Sequence, residues 1–366
     1  MKLRCERDSL VEALATASRA TASRSGALPV LSGVRLEVRG GELHVAGSDL
    51  DLTIETTVGV LGAADGVAVV PGRLLVDIVR SLEPGAVAVE ADEEELRVAS
   101  GRAQFAVRIF PADDFPRLPG HQGQALSLPA ADFAEALRQV VPAAANDETR
   151  PMLTGVLLTS ESGTGLRLVA TDSYRLAKRE LAGATVLAEG QRVLVPARAL
   201  SELQRLLSSA SELTVRLGET DAGFEVGPVV LTTRLIEGDF PNYGQLIPAS
   251  YPNRLDVSRD TLVDAVKRVR LLVKDATTPV RMALRSGTIE LSVSDAERGQ
   301  AVEEIDAKYE GTDMTIAFNP AYLIDGLEAA GGDEVMIQVL DALKPATIRP
   351  AEGADYLYLL MPVRVP

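Results

Sequence analysis

One order of patterns occurs three times along this chain, and that repetition limits the possible folds more than any other feature. The stretches "RDSLVEALATA", "AADFAEALRQV" and "SRDTLVDAVKRV" each have the spacing of an amphipathic helix. Each carries an aspartate near its start, Asp8, Asp132 and Asp260, suited to N-capping. A proline and an alternating apolar run follow in "LPVLSGVRLEV", "RPMLTGVLLTS" and "TPVRMALRSGTIEL", with Pro29, Pro151 and Pro279. Then come "AGSDLDL", "VATDSYRL" and "SVSDAERG", whose aspartates Asp49, Asp172 and Asp295 are 123 residues apart in both intervals. In the second half of each copy, "VVPGRLLVDIVRSL", "VLVPARALSELQRLL" and "IAFNPAYLIDGLEAA" predict a strand, a proline at a helix start (Pro71, Pro196, Pro320) and a helix.

A repeat this long is not a solenoid unit, which runs to roughly 20–50 residues. It suits a compact α+β domain whose helices cover one face of an antiparallel sheet. The expected domains are 1–120, 121–250 and 251–366, with linkers near "RLPGHQGQAL" (117–126) and "IPASYPNRL" (247–255), where Pro, Gly and polar residues cluster. Three such domains in a row favour a curved, quasi-symmetric arrangement, and an arrangement that does not close leaves two unlike ends able to join another copy.

The composition allows a large core, with 46% hydrophobic residues in 366. No apolar run reaches the roughly 18 residues of a transmembrane helix. The start "MKLRCERDSLVEAL" places charges where a signal peptide needs apolar residues, so a cytoplasmic location with no membrane contact is expected. Cys5 is the one cysteine, which excludes an internal disulfide framework and agrees with a reducing compartment.

A net charge of −15 argues against nucleic-acid binding over the whole surface, but it does not say where the cations lie. Arg73 and Arg80 are seven apart, as are Arg198 and Arg205 in the equivalent helix of the second copy. Seven residues are about two helical turns, so each pair shares a face. The first helices add Arg19, Arg24 and Arg138, and the third copy adds Lys267, Arg268 and Lys274. Such rows can hold a phosphate backbone without reading its sequence. The chain has no Trp and no basic stretch rich in aromatics, which argues against recognition of single strands by base stacking.

Signals for catalysis are weak. His44 and His121 are isolated, each in a stretch that reads as a turn or a strand edge, and with a single cysteine no zinc-type cluster is available. No phosphate-binding loop, dinucleotide-binding glycine pattern or nucleophile elbow occurs. Tyr174 and Lys178 have the Y-x-x-x-K spacing of some nicotinamide-dependent reductases. That chemistry needs a Gly-rich turn in a parallel α/β unit, which the chain lacks. No catalytic residue, metal or cofactor is expected.

Taken together, "LPVLSGV", "PMLTGV", "ATDSYRLAKRE", "VPARAL", "EGDFPNY", "IAFNPAYLIDGL" and "YLLMPVR" resemble the bacterial DNA polymerase III beta subunit family, the sliding clamps, over essentially the whole chain. "KPATIRP" and the Ala/Val/Arg-rich composition look most like actinobacterial members. The resemblance implies three domains of one clamp fold, with antiparallel sheets outside and helices lining the channel of a head-to-tail homodimeric ring around double-stranded DNA. It implies DNA-facing roles for Arg24, Arg73, Arg80, Arg150 and Arg198, to which the spacing adds Arg205.

The resemblance also implies a pocket for short linear peptides of the DNA polymerase III alpha subunit, the clamp loader, other polymerases and repair proteins. Its matching residues are Leu153, Thr171, Ser173, Tyr174, Arg175, Leu176, Pro241, Leu246, Asn319, Tyr322, Leu360, Met361, Pro362, Val363 and Arg364. At the dimer edge Val107 is expected to face Leu271 and Leu272. Ser173, Gln245, Pro151 and Met152 depart from the family's usual residues, which leaves open a paralogue with a specialised role in repair or antibiotic resistance. The apolar tail "YLYLLMPVRVP" is expected to form the last strand of the third domain and one wall of the pocket.

Overall fold

The repeated helical patterns become six α-helices: α1 (Arg7–Ser18), α2 (Gly72–Ser81), α3 (Ala130–Val140), α4 (Ala197–Leu207), α5 (Arg259–Val269) and α6 (Pro320–Ala330). They are seen in a computed structural model that describes every residue except 23–27, 119, 121–122, 162–164, 276–277, 354 and 365–366, together with the side chain of residue 63. Asp8, Asp132 and Asp260 lie within the first turns of α1, α3 and α5 and are not the capping residues. They favour helix starts by meeting the positive end of the helix dipole. Ser258 caps α5, accepting from the Thr261 amide. Asn319 caps α6, accepting from the amides of Ala321 at 2.9 Å and Tyr322 at 3.3 Å. The prolines also divide: Pro320 occupies the first turn of α6, Pro71 precedes α2 as its N-cap, and Pro196 ends the strand before α4.

Every strand pairing among the described residues is antiparallel, in four sheets. One sheet runs Leu61–Ala64, Lys2–Glu6, Ala86–Ala91, Glu95–Ser100, Ala103–Arg108. A second runs Ala125–Pro129, Glu212–Leu217, Asp221–Val226, Val229–Arg234, Leu52–Gly59, Glu42–Ser48, Gly33–Arg39, Gly66–Pro71. A third runs Arg192–Pro196, Gly155–Thr159, Gly165–Thr171, Arg175–Ala182, Tyr356–Leu360, Ala346–Pro350, Glu334–Val339, Asn253–Ser258, Lys308–Glu310. The fourth runs Gly299–Asp306, Thr288–Asp295, Val280–Arg285, Met314–Phe318.

These sheets assemble into three domains, each repeat contributing strands to two sheets. Where one copy meets the next, the last strand of the later copy pairs with the strand that follows the aspartate turn of the earlier one. Thus Thr232 faces Thr53, and Leu359 faces Leu176. This explains the apolar tail. All five residues of Tyr356–Leu360 are buried, because the strand has neighbours on both edges and cover on both faces, so it reads as a continuous apolar run. Among the strands that end these sheets, two lack the partner that this junction supplies elsewhere: Ala103–Arg108, the last strand of the first copy, and Gly299–Asp306, the post-aspartate strand of the third.

The chain divides into two compact units, residues 1–131 with 202–235, and residues 132–201 with 236–366. In the first, α1 packs on α2 and on the strand Glu42–Ser48. Its core draws on Leu10, Leu14, Leu36, Val45, Leu75, Val79, Val89 and Val98. In the second, α5 packs on α6, and α6 lies on the strand Tyr356–Leu360. There Gly326 meets the Tyr358 ring so closely that an added Cβ would be 2.4 Å from it. No described helix is long and apolar enough to cross a membrane.

Candidate functional site

The three matched aspartates build the same turn. Asp49 Oδ1 accepts from the amides of Asp51 and Leu52, Asp172 Oδ1 from those of Tyr174 and Arg175, and Asp295 Oδ1 from those of Glu297 and Arg298. A carboxylate holding two backbone N–H groups is stabilised in its charged form, and the Arg298 and Glu297 amides keep Asp295 below the usual carboxylate range. In the first two copies the residue after the aspartate has positive φ although it is not glycine: Leu50 at 83° and Ser173 at 79°. The turn tolerates this strain because the aspartate and its neighbour fix both ends. Thr171 Oγ1 donates to the Arg175 carbonyl at 2.7 Å and accepts from the Ser173 amide at 3.2 Å.

This turn delivers Arg175 into the interior of the second unit, where it is 9% exposed. Its Nε donates to Asp172 Oδ2 at 3.0 Å, Nη1 to the Asp325 carboxylate and the Tyr358 hydroxyl, and Nη2 to the Pro142 carbonyl. The guanidinium carbon lies 4.3 Å from the centroid of the Tyr322 ring. Burial alone would lower its pKa, but Tyr358, Asp325 and Asp172 raise it above the ordinary value. Tyr358 in turn donates to the Tyr322 carbonyl at 2.8 Å, and burial pushes its phenol up. Tyr174 stands outside this network, 61% exposed, stacked on Tyr322 with centroids 6.4 Å apart.

Of the residues expected in the pocket, Thr171, Tyr174, Tyr322 and Met361 adjoin Arg175 or its turn. The Met361 amide donates to the Tyr174 carbonyl at 2.9 Å, and the Val363 amide to the Ala317 carbonyl at 2.8 Å, so the tail lies along the turn. Leu153, Thr171, Leu176 and Leu360 are buried, Asn319, Tyr322, Pro362 and Val363 are half-buried, and Met361 and Arg364 are exposed. Pro241 and Leu246 lie on the exposed segment after Phe240. Met152, Tyr243 and Ile247 pack against the cluster that contains Leu176, Phe240 and Leu359. Pro241 also lines an open groove of about 670 Å³ with Phe240, Tyr243, Arg167, Lys178 and Arg192.

Sequence reasoning missed Asp325, Tyr358 and the Pro142 carbonyl, which fix Arg175. Asp325 and Tyr358 are ordinary residues in a helix and a strand, and only long-range packing gives them this role. Tyr174 and Lys178 do not meet as a catalytic pair: Lys178 bonds to Glu180 at 3.2 Å, while Tyr174 stacks on Tyr322. His44 sits inside the strand Glu42–Ser48, 3.1 Å from the Thr57 hydroxyl, and not at a turn or strand edge. His121 and Arg24 lie outside the described residues. Among the described residues no group of three His, Cys, Asp or Glu is placed to hold a metal ion.

The helix arginines keep the faces that their spacing requires. Arg73 and Arg80 are exposed on α2 beside buried Leu75, Val76, Ile78 and Val79, and Arg198 and Arg205 are exposed on α4. Carboxylates accompany most helix cations. Arg80 lies 4.0 Å from Asp77, Arg205 3.1 Å from Glu202, Arg19 3.9 Å from Glu202, and Lys267 2.7 Å from Glu328. Arg150 stands apart from the helices and donates to Ser173 Oγ at 2.9 Å, at the rim of the Thr171–Leu176 turn. Val107 is buried in the core of its own unit. Leu271 is 79% exposed at the end of α5, and Leu272 is half-buried.

Residues 1–119, 127–242 and 244–364 match the N-terminal, central and C-terminal domains of the DNA polymerase III beta subunit family. The chain is 37% identical to the beta sliding clamp of Streptomyces coelicolor, with all of both chains covered. Its fold is similar to the crystal structure of the Bacillus subtilis DNA polymerase sliding clamp, with a TM-score of 0.93, 29% identity and full coverage of both chains. It is equally similar, with a TM-score of 0.93, 32% identity and full coverage of both, to the Bartonella birtlesii clamp crystallised bound to griselimycin.

Proposed function

The chain belongs to the DNA polymerase III beta subunit family and works as a DNA sliding clamp, and from this we propose that two copies close head to tail into a ring around duplex DNA. The observation that carries the ring is the pair of edge strands that lack the junction partner found between the copies. Both junctions inside the chain join the last strand of one copy to the post-aspartate strand of the copy before it. The two strands lacking that partner, Ala103–Arg108 and Gly299–Asp306, are the corresponding pair. Transferring the same register to two molecules places Ala106 opposite Gly299 and Gln104 opposite Ala301. An interface of this kind covers edges that would otherwise invite irregular association. It also covers the exposed Phe105 and Leu271, while Val107 supports the strand from inside its own core.

In such a ring the helix arginines Arg73, Arg80, Arg198 and Arg205 face the DNA and hold phosphates without reading bases. The net charge of −15 keeps the outside from adhering to nucleic acid. The role is non-catalytic, and processivity comes from the topological link. Domain limits at 1–120, 121–250 and 251–366 fit this reading. Rings loaded on closed circular DNA are expected to stay until the DNA is cut, whereas rings on linear DNA run off the ends. Equal loss from both forms would refute the ring.

The surface around Tyr174, Tyr322, Leu246, Met361 and Val363 receives short linear peptides of the DNA polymerase III alpha subunit, the clamp loader and other replication and repair proteins. Exposed aromatic and aliphatic side chains on a fixed base suit a few apolar anchors. Arg150, which donates to Ser173 Oγ, borders this site as well as standing among the arginines proposed to face DNA. Removing residues 362–366 is expected to lower affinity for an apolar polymerase-tail peptide at least tenfold and to leave the dimer intact. An unchanged peptide affinity with the dimer preserved would contradict the assignment.

A further inference from the structure

Arginine spacing is only part of what α2 and α4 share. Counted from the first helical residue, each places Arg second, an acid sixth and Arg ninth: Arg73, Asp77 and Arg80 in α2, and Arg198, Glu202 and Arg205 in α4. The acid is four residues after the first arginine and three before the second, so it lies between them on one face. Asp77 lies 4.0 Å from Arg80, and Glu202 lies 3.1 Å from Arg205. Glu202 also approaches Arg19, at 3.9 Å, and its side chain is 16% exposed. The matched positions of α6 hold Ala321, Asp325 and Glu328. There the acid at the sixth position turns to Arg175, and no arginine flanks it. In α3 the acid and the later arginine recur as Glu135 and Arg138 without the earlier one, so among the described helices the full arginine–acid–arginine order occurs in α2 and α4, whose arginines are assigned to DNA.

We propose that Asp77 and Glu202 are built-in counter-ions that weaken the grip of these arginines on DNA phosphates. The inference rests on the channel reading above. A cation already neutralised by a fixed carboxylate gains less by meeting a phosphate, and the DNA releases fewer condensed counter-ions when the two meet. The carboxylate also takes back the guanidinium when a phosphate moves on, so the protein changes phosphates without leaving an arginine unpaired. A clamp held by its closed ring needs mobility along DNA more than affinity for it.

The test compares binding of the full-length protein to a short fluorescein-labelled linear duplex across a range of salt. Asp77→Asn combined with Glu202→Gln is expected to raise affinity at low salt roughly three- to tenfold and to steepen the log–log salt slope by about one. Asp77→Asn alone is expected to give the same sign, and its side chain, 75% exposed, bears little on folding. Glu90→Gln with Glu310→Gln makes the same change in net charge at exposed pairs with Lys2 and Lys308 on strands, and is expected to leave the slope unchanged. The inference is overturned if this control matches the helix variants, or if those variants keep the wild-type slope while Arg73→Ala and Arg198→Ala weaken binding. If the arginine variants bind as tightly as wild type, the channel reading itself fails, and the inference with it.

Discussion

Arg175→Ala is expected to destabilise the second unit by about 3 kcal/mol and to remove measurable peptide binding. The guanidinium holds Asp172, Asp325, the Pro142 carbonyl and the Tyr358 hydroxyl, and it lies under the Tyr322 ring. Alanine leaves two carboxylates facing each other with no cation between them. Breaking a buried ion pair from one side costs about 3–5 kcal/mol, and the lower end applies because the Asp325 side chain is 41% exposed. For a unit of this size the loss corresponds to a fall of about 6–12 °C in its calorimetric transition. Tyr322 and Tyr174 then lose the support beneath their stack, so peptide affinity falls with stability. A variant that keeps wild-type melting and peptide affinity would show that the network is not what holds the pocket.

Gly47→Ala is expected to act on the other unit with similar size. A Cβ at Gly47 would lie 2.1 Å from the Ala17 carbonyl oxygen and 2.9 Å from its carbon. Both atoms are backbone at the end of α1, so no side-chain rotation relieves the overlap, and the helix must lift from the strand Glu42–Ser48. Overpacking a core costs about 1–3 kcal/mol and more when backbone has to move, so about 3 kcal/mol is expected. The matched residues Ala170 and Val293 carry the side chain that Gly47 lacks, so the close approach is particular to the first copy. Peptide affinity should stay at the wild-type value, because the pocket residues belong to the other unit. Gly59→Ala is the comparison, since its Cβ would meet nothing within 4 Å and its effect should stay within about 0.5 kcal/mol. Equal melting of the two alanine variants would sink the prediction.

The repeat was legible because its most regular residues do local work. Asp49, Asp172 and Asp295 each tie two amides of their own turn, so their spacing survives wherever the turn does. Helix faces were legible for a similar reason, since burial of Leu75, Val76 and Val79 fixes where Arg73 and Arg80 must point. Helix starts were read less well. Asp8 and Asp260 resemble caps, but Ser258 does the capping in α5, and the dipole rewards an acid anywhere in the first turn. The fixing of Arg175 was not legible, because its partners are separated from it by 33, 150 and 183 residues. The acids between the helix arginines were in plain view, but they gained meaning only when both helices showed the same pairs.

The exchange of last strands between neighbouring copies places the sequence repeat and the mechanical unit out of phase. A fragment ending near residue 120 would lack the strand Val229–Arg234 and leave Leu52–Gly59 bare along one edge. A fragment beginning near residue 250 would carry Tyr356–Leu360 with nothing for its outer edge to bond. Each repeat is thus a link whose clasp is held by the next, and cutting at the boundaries that the sequence suggests yields pieces prone to associate with one another.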